Sequence, residues 1–284
     1  MAERHRLSEQ RTTRFGSLLR HWRTLRRMSQ LDVALGADIS QRHLSFLESG
    51  RARPSRGMVL RISEVLDVPL RHRNELLASV GLAAVYADLP LTSTELDPAR
   101  EALERILRHH EPYPAMVVDG AWNIVMKNCA STRIIGACVA EDDLQRLGSG
   151  GYVNFIRLMF DPAGMRPHVR SWDVTATYLV GRLRREYSSD PESPAAVLLR
   201  EVLPVAPPHF VPAATALPLP PTAPLELDIA GRPLRLFNTL TTFGTPQDVS
   251  LQGVRVEMSF PMDAESEALL EELDRHAETR ARAD

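Results

Sequence analysis

The chain has 284 residues, 34 Lys+Arg against 36 Asp+Glu for a formal charge of −2, and 44% hydrophobic residues. At about 150 residues per domain this is a two-domain length, with globular composition rather than that of a disordered chain. Two cysteines, Cys129 and Cys138, speak against a disulfide scaffold or multi-cysteine metal site, and no run approaches the roughly 18 apolar residues of a membrane span, so a cytoplasmic protein with no membrane partner is expected.

The charge is unevenly spread. Residues 1–80 hold 15 arginines, no lysine and 8 acids, a net +7, which leaves −9 for the remainder. A basic head on an acidic body is expected when one region meets an anionic polymer and the other does not. Residues 1–12 are polar and are expected to be a flexible lead. From Thr13 to about Val80 apolar residues recur at helical spacing in five blocks. Phe15, Leu18, Leu19, Trp22 and Leu25 make the first stripe. Ser29 is placed to cap a second helix, with Asp32 at the reciprocal position, burying Leu31, Ala34 and Leu35. Gly36 to Ser40 is a turn whose Ile39 plugs the core. Ser40 caps a third helix, Gln41 to Glu48, packed through Leu44 and Leu47, and a polar connector follows to Ser55. Ser55 caps a fourth helix with Val59, Leu60, Ile62 and Leu66; Leu70 to Val80 is the fifth.

Two short helices joined by a tight turn inside a basic bundle read as a helix-turn-helix over residues 13–80. The stretch SQLDVALGADISQRHLSFLESGRARPS resembles the helix-turn-helix of the phage-repressor and Cro-like (XRE) bacterial regulators. Gln30, Ala34, Ile39, Gln41 and the run Leu47-Glu48-x-Gly50 stand at that family's spacing. Gln41, Arg42 and Ser45 then project from the helix that enters the major groove, where an amide or guanidinium bonds two base-edge atoms at once. Arg51 and Arg53 are candidates for phosphate contacts, and the resemblance adds Gln30 and Ser40 to that set. It also implies a structural salt bridge between Arg23 and Glu48. Phe46 departs from the pattern, since relatives often carry a polar reader there; it either meets a thymine methyl or packs on its own domain. One such unit makes too few base contacts alone, so a homodimer on double-stranded DNA, at a pseudo-palindromic operator with half-sites about 34 Å apart, is implied.

Residues 81–97 read as a linker and 98–284 as a second domain. A helix is expected from Pro98 to His110. Asp119-Gly120 between Ala115 to Val118 and Trp122 to Lys127 is a hairpin signal. Helices follow near Ser131 to Val139, Val153 to Phe160, Trp172 to Tyr187 and Ala195 to Leu203, with Gly148 to Gly151 read as a flexible loop. Pro218 to Pro224 is expected to be an extended connector. Strand alternation returns at Leu225 to Ile229, Leu234 to Leu236 and Val254 to Phe260, before a terminal helix from Asp263 to about Glu278. Strands first, helices in the middle and strands last give an α+β class, an antiparallel sheet with helices on one side.

The segments AWNIVMKNCAS, VNFIRLMFDPAGMRPHVRSW and VGRLRREYSSDP resemble the PAS-like ligand-binding domain of the MmyB-like (MltR-type) regulators. The resemblance implies an apolar pocket between sheet and helices, and Trp122, Phe155, Leu158, Met159, Trp172, Tyr178, Leu179, Phe237 and Phe243 are the large residues placed near it. Met159 and Met165 would suit a flexible, fatty-acid-like ligand, with Arg157 or Arg182 holding a carboxylate head.

No phosphate-binding glycine loop with its lysine, metalloprotease HExxH or nucleophile elbow occurs. His109 and His110 are adjacent and point about 100° apart on a helix, so they do not share one metal. No metal site, cofactor or enzymatic activity is expected. The sequence therefore reads as a one-component transcription regulator governed by a small apolar ligand. The competing reading is a DNA-binding adaptor whose second domain binds a protein.

Overall fold

The computed structural model describes residues 2–149, 151–206, 224–244 and 246–281. They fall into two units: residues 1–89 with 246–249, and residues 90–245 with 250–284.

The first unit is a five-helix bundle, α1 (Ala2–Leu25), α2 (Gln30–Gly36), α3 (Gln41–Glu48), α4 (Arg56–Val65) and α5 (Leu70–Ser79). Residues 1–12 were expected as a flexible lead, yet α1 is helical from Ala2; its first turns hold Ala, Glu, Arg, Leu and Gln and no Pro or Gly. Ser29 and Asp32 close a reciprocal capping box on α2, while Ser40 and Ser55 accept the His43 and Met58 N–H groups at the starts of α3 and α4. Phe15, Leu19, Trp22, Val33, Ala34, Leu44, Leu47, Val59, Ile62 and Leu66 form the core. Leu31 and Leu35 were expected inside and are 50% and 70% exposed. The buried face of α2 is centred on Val33, Ala34 and Ala37, and at 100° per residue Leu31 and Leu35 point away from it. The α1 and α3 backbones approach so closely that a Cβ on Gly16 would clash with the Glu48 carbonyl oxygen and lie 2.8 Å from that of Leu47.

The second unit is built on a seven-stranded antiparallel sheet. In chain order come α6 (Asp97–His109), β1 (Ala115–Val118), β2 (Asn123–Lys127), α7 (Cys129–Cys138), α8 (Glu141–Leu147), β3 (Gly148–Ser149), β4 (Tyr152–Asn154), α9 (Phe155–Phe160), α10 (Trp172–Ser189), α11 (Ala195–Val202), β5 (Pro224–Ile229), β6 (Arg232–Thr242), α12 (Val249–Gly253), β7 (Arg255–Pro261) and α13 (Ala264–Ala281). The strand order is β3-β4-β2-β1-β7-β6-β5, so the late strands insert beside β1. Two expectations change locally. Gly148 and Ser149, read as loop, pair with Val153 and Tyr152 in a small hairpin, so Val153 is strand and the helix starts at Phe155. Most of the proline-rich connector, Pro218 to Ala223, lies outside the described residues.

Helices cover both faces of the sheet, not one. Val118, Ile124, Leu227, Ile229, Leu234 and Leu236 face a large core shared with α7, α9, α10, α11 and α13. Ala115, Val117, Val254 and Val256 point the other way, onto Leu103 and Leu107 of α6. Adjacent strand residues face opposite sides, which is how both faces acquire apolar rows.

Candidate DNA-reading surface and ligand-binding core

In the first unit the candidate DNA-reading surface is α3, held from beneath by one buried carboxylate. Glu48 has a side chain only 1% exposed, and Arg23 grips it through Nε at 2.6 Å and Nη2 at 3.2 Å. Gln30 Nε2 donates to the same carboxylate at 2.9 Å, and Arg20 Nε approaches to 3.6 Å. Burial alone pushes the Glu48 carboxyl up, but the hydrogen bonds from Arg23 and Gln30 and the charges of Arg23 and Arg20 outweigh it, leaving it below the ordinary glutamate range. This network ties α1, the start of α2 and the end of α3 together, so the outer face of α3 is displayed on a fixed frame.

That face carries exposed Gln41 and Arg42 with half-buried Ser45. Ser40 Oγ accepts the His43 N–H at 3.1 Å, which leaves its own hydroxyl proton to donate outward. Arg51 is exposed and has no side-chain partner among the described residues, whereas Arg53, also exposed, donates through Nη2 to Val80 O at 2.8 Å. The assignments of Gln30 and Arg53 to phosphate therefore need adjusting, because each already has a structural bond. Arg26 and Arg73 are likewise bound to carbonyls, at Leu66 and Asp67 and at Val68. Cations near helix C-termini complement the helix dipole, so part of the +7 of this region serves its own fold. Arg56, exposed at the first position of α4 with no partner among the described residues, is a phosphate candidate the sequence reading passed over. Its place directly after the capping Ser55 was the available signal.

In the second unit, Trp122, Phe155, Leu158, Met159 and Leu179 are buried in one cluster, with Trp172 and Tyr178 packed against it. Phe237 and Phe243 are not part of it. Phe237 stacks on Phe260 at 5.2 Å, and Phe260 meets His110 just beyond α6, while Phe243 packs with the α6 core. For Phe237 strand parity was the signal, since with Leu234 and Leu236 inward it falls on the opposite face, while Phe243 lies just past the end of β6.

Trp122 sits at the centre. It closes the β1–β2 turn at φ +66°, a region bulky residues rarely adopt, held by its N–H to Asp119 O at 3.0 Å and its carbonyl to the Phe155 N–H at 2.8 Å. Phe155 stacks parallel to its ring, and the guanidinium carbons of Arg182 and Arg255 lie 4.4 and 5.2 Å from the ring centroid. Its indole N–H donates to Glu186 Oε2 at 2.9 Å. Arg182 Nη1 contacts Glu257 Oε1 at 2.6 Å in a pair whose side chains are 8% and 7% exposed, and Arg255 Nη1 lies 2.8 Å from Glu186 Oε1. Arg157 instead makes a surface pair with Glu201, so of the two arginines expected at a carboxylate site only Arg182 is inside. Thr175, Leu179, Arg182 and Glu186 form one stripe of α10, and Glu257 and Arg255 share one face of β7. The partners Glu186 on α10 and Arg255 and Glu257 on β7 were not singled out, because nothing local marks a charged residue as buried. The Cys138 thiol is pushed up to about 11 by burial and by the Asp228 charge, which makes it a poor thiolate.

A helix-turn-helix joined to a curled α+β sheet domain defines a DNA-binding transcription regulator with a ligand-binding domain. Residues 99–273 match the family described as MmyB-like transcription regulator ligand binding domain, and residues 19–72 match a helix-turn-helix family. The chain belongs to the MmyB-like family. No curated protein matches it. Among solved structures, one titled "Structure of an RNA-binding Light-Oxygen-Voltage Receptor" is similar at 12% identity, over 96% of this chain and 64% of that one, with a TM-score of 0.25. This chain thus spans less than two thirds of that protein's length, and a superposition so loose carries no argument. No described helix is long and apolar enough to cross a membrane.

Proposed function

We infer that the chain is a homodimeric, sequence-specific regulator. In this reading α3 enters the major groove, Gln41, Arg42 and Ser45 meet base edges, and Ser40, Arg51 and Arg56 hold phosphates, with Arg53 and Gln30 adding to that contact only through atoms not already bonded. The observation that carries it is the display of exposed Gln41 and Arg42 on a helix whose inner side is locked by Arg23, Gln30 and Glu48. Pairing of two copies supplies the second half-site. The ligand is a small, mostly apolar molecule of fatty-acid-like character, received against the Trp122, Phe155, Leu158, Met159 and Leu179 cluster. It acts by favouring one dimer geometry, to the extent that it binds the two geometries differently.

The test is selection of bound duplexes from a random pool with the full chain, followed by titration of the enriched site and of a scrambled site at several salt concentrations. Enrichment of a two-fold related motif, bound at least a hundredfold tighter than the scrambled duplex, supports the reading; equal affinity for both overturns it. Native mass spectrometry of the purified chain checks the ligand and the dimer: apolar small-molecule adducts on a dimer are expected, and a bare monomer counts against both.

A further inference from the structure

Phe46 is a large aromatic on α3 that the core does not use. It is half-buried, yet it is absent from the residues that form or pack against the core of the first unit. The Arg42 guanidinium lies over it, with its central carbon 5.3 Å from the ring centroid. Arg42 and Phe46 are one helical turn apart and share a face of α3, with Gln41 and Ser45 forming the neighbouring stripe about 100° round the helix. The backbone beneath is fixed, since Phe46 O accepts the N–H groups of Arg51 and Ala52 at 2.8 and 3.2 Å.

We propose that Arg42 and Phe46 form a composite reader of a guanine next to a 5-methylpyrimidine, the guanidinium taking the guanine and the ring taking the neighbouring methyl group. The proposal rests on the placement of α3 in the major groove. A guanidinium bonded to guanine O6 and N7 presents its flat face to one side, and here that face is held by the ring. Successive bases are about 3.4 Å apart along a strand, so a ring 5.3 Å from the guanidinium reaches the adjacent pair, where a thymine carries its methyl group into the groove. The ring also restricts Arg42 before DNA arrives, so less side-chain freedom is lost on binding. Phe46 is in this sense both a contact to the methyl and a positioning residue for Arg42.

The test uses the full chain and the site enriched from random duplexes. Each thymine of that site is replaced singly by deoxyuridine, which removes only the methyl group. The wild-type chain is expected to lose about fourfold in affinity at one thymine beside an essential guanine, the equivalent of about 0.8 kcal/mol for one buried carbon. Phe46→Ala is expected to bind the thymine and deoxyuridine sites equally and to discriminate less against replacement of the adjacent guanine. Phe46→Tyr, which keeps the ring face, restores both. Phe46→Leu keeps apolar contact with the methyl but not the stacking, and so separates the two roles. Wild-type indifference to deoxyuridine at every thymine of an enriched site overturns the pair alone. An equal loss by Phe46→Ala on the site and on scrambled DNA also overturns it, and enrichment of no motif overturns the DNA-reading assignment beneath it.

Discussion

Replacing Glu48 by alanine removes the anchor on which α3 is mounted. Arg23 would lose two charge-assisted hydrogen bonds, keeping only the bond from Nη1 to Met28 O, and the Gln30 amide would lose its acceptor. Breaking a buried pair by removing one partner costs about 3–5 kcal/mol. Because the Arg23 side chain is 17% exposed and can recover some hydration, a loss of about 3 kcal/mol is expected. That corresponds to roughly a hundredfold faster exchange of the slowest amides of α1 and α3, measurable by hydrogen exchange with mass spectrometry on the full chain, while the slowest amides of β6 and β7 are unchanged. Glu48→Gln keeps the shape and loses the charge, and should fall between the two. The pH dependence has a definite sign. The folded-state carboxyl lies below its ordinary value of 4.5, so its stabilisation is present above that value and disappears as the pH falls through the folded-state value. The alanine variant should lack this component. Exchange within threefold of wild type for Glu48→Ala, or strict additivity of Glu48→Ala with Arg23→Ala, would refute the reasoning.

Other consequences follow from single contacts. Gln41→Ala should weaken the selected site by 1–3 kcal/mol and relax one base position, whereas Arg51→Ala should weaken all duplexes alike and flatten the salt slope by about 0.9; titrations on matched and scrambled DNA would tell them apart. Gly16→Ala sets a methyl group against two backbone carbonyls of α3 that cannot rotate aside, costing about 1–3 kcal/mol of first-unit stability, seen as faster exchange in α1 and α3. Arg182→Ala leaves Glu257 buried without its partner and should destabilise the second unit by about 3–5 kcal/mol in chemical denaturation, while Arg182→Met with Glu257→Leu should regain most of it. If the single and double variants lose equally, the pair is not what holds α10 to β7.

The elements themselves were legible from local chemistry. Ser29, Ser40 and Ser55 mark helix starts because a side-chain oxygen satisfies an N–H three residues on, and the Asp119-Gly120 turn sits where the chain reverses. Such signals act within a few residues, so one sequence suffices to see them. The Arg23–Glu48 bridge and the placement of Gln41 and Arg42 came from the spacing of a resembled family, whereas the bond from Gln30 to Glu48 was not part of that reading. The errors arose where the answer depends on distant chain. Leu31 and Leu35 are as apolar as the core leucines, but the direction from which α1, α3 and α4 approach a seven-residue helix decides that Val33 and Ala34 are covered instead. Arg53 looks like any exposed cation until Val80 O arrives 27 positions later.

Sequence by itself determined that there is a basic helical head and an acidic α+β body, because charge balance and hydrophobic period are sums over near neighbours. Only the tertiary structure decided which charges are paired internally. Arg182 meets Glu257 across 75 positions and Trp122 meets Glu186 across 64. Hydrogen bonding and burial depend on proximity in space, and no local pattern in the chain records that.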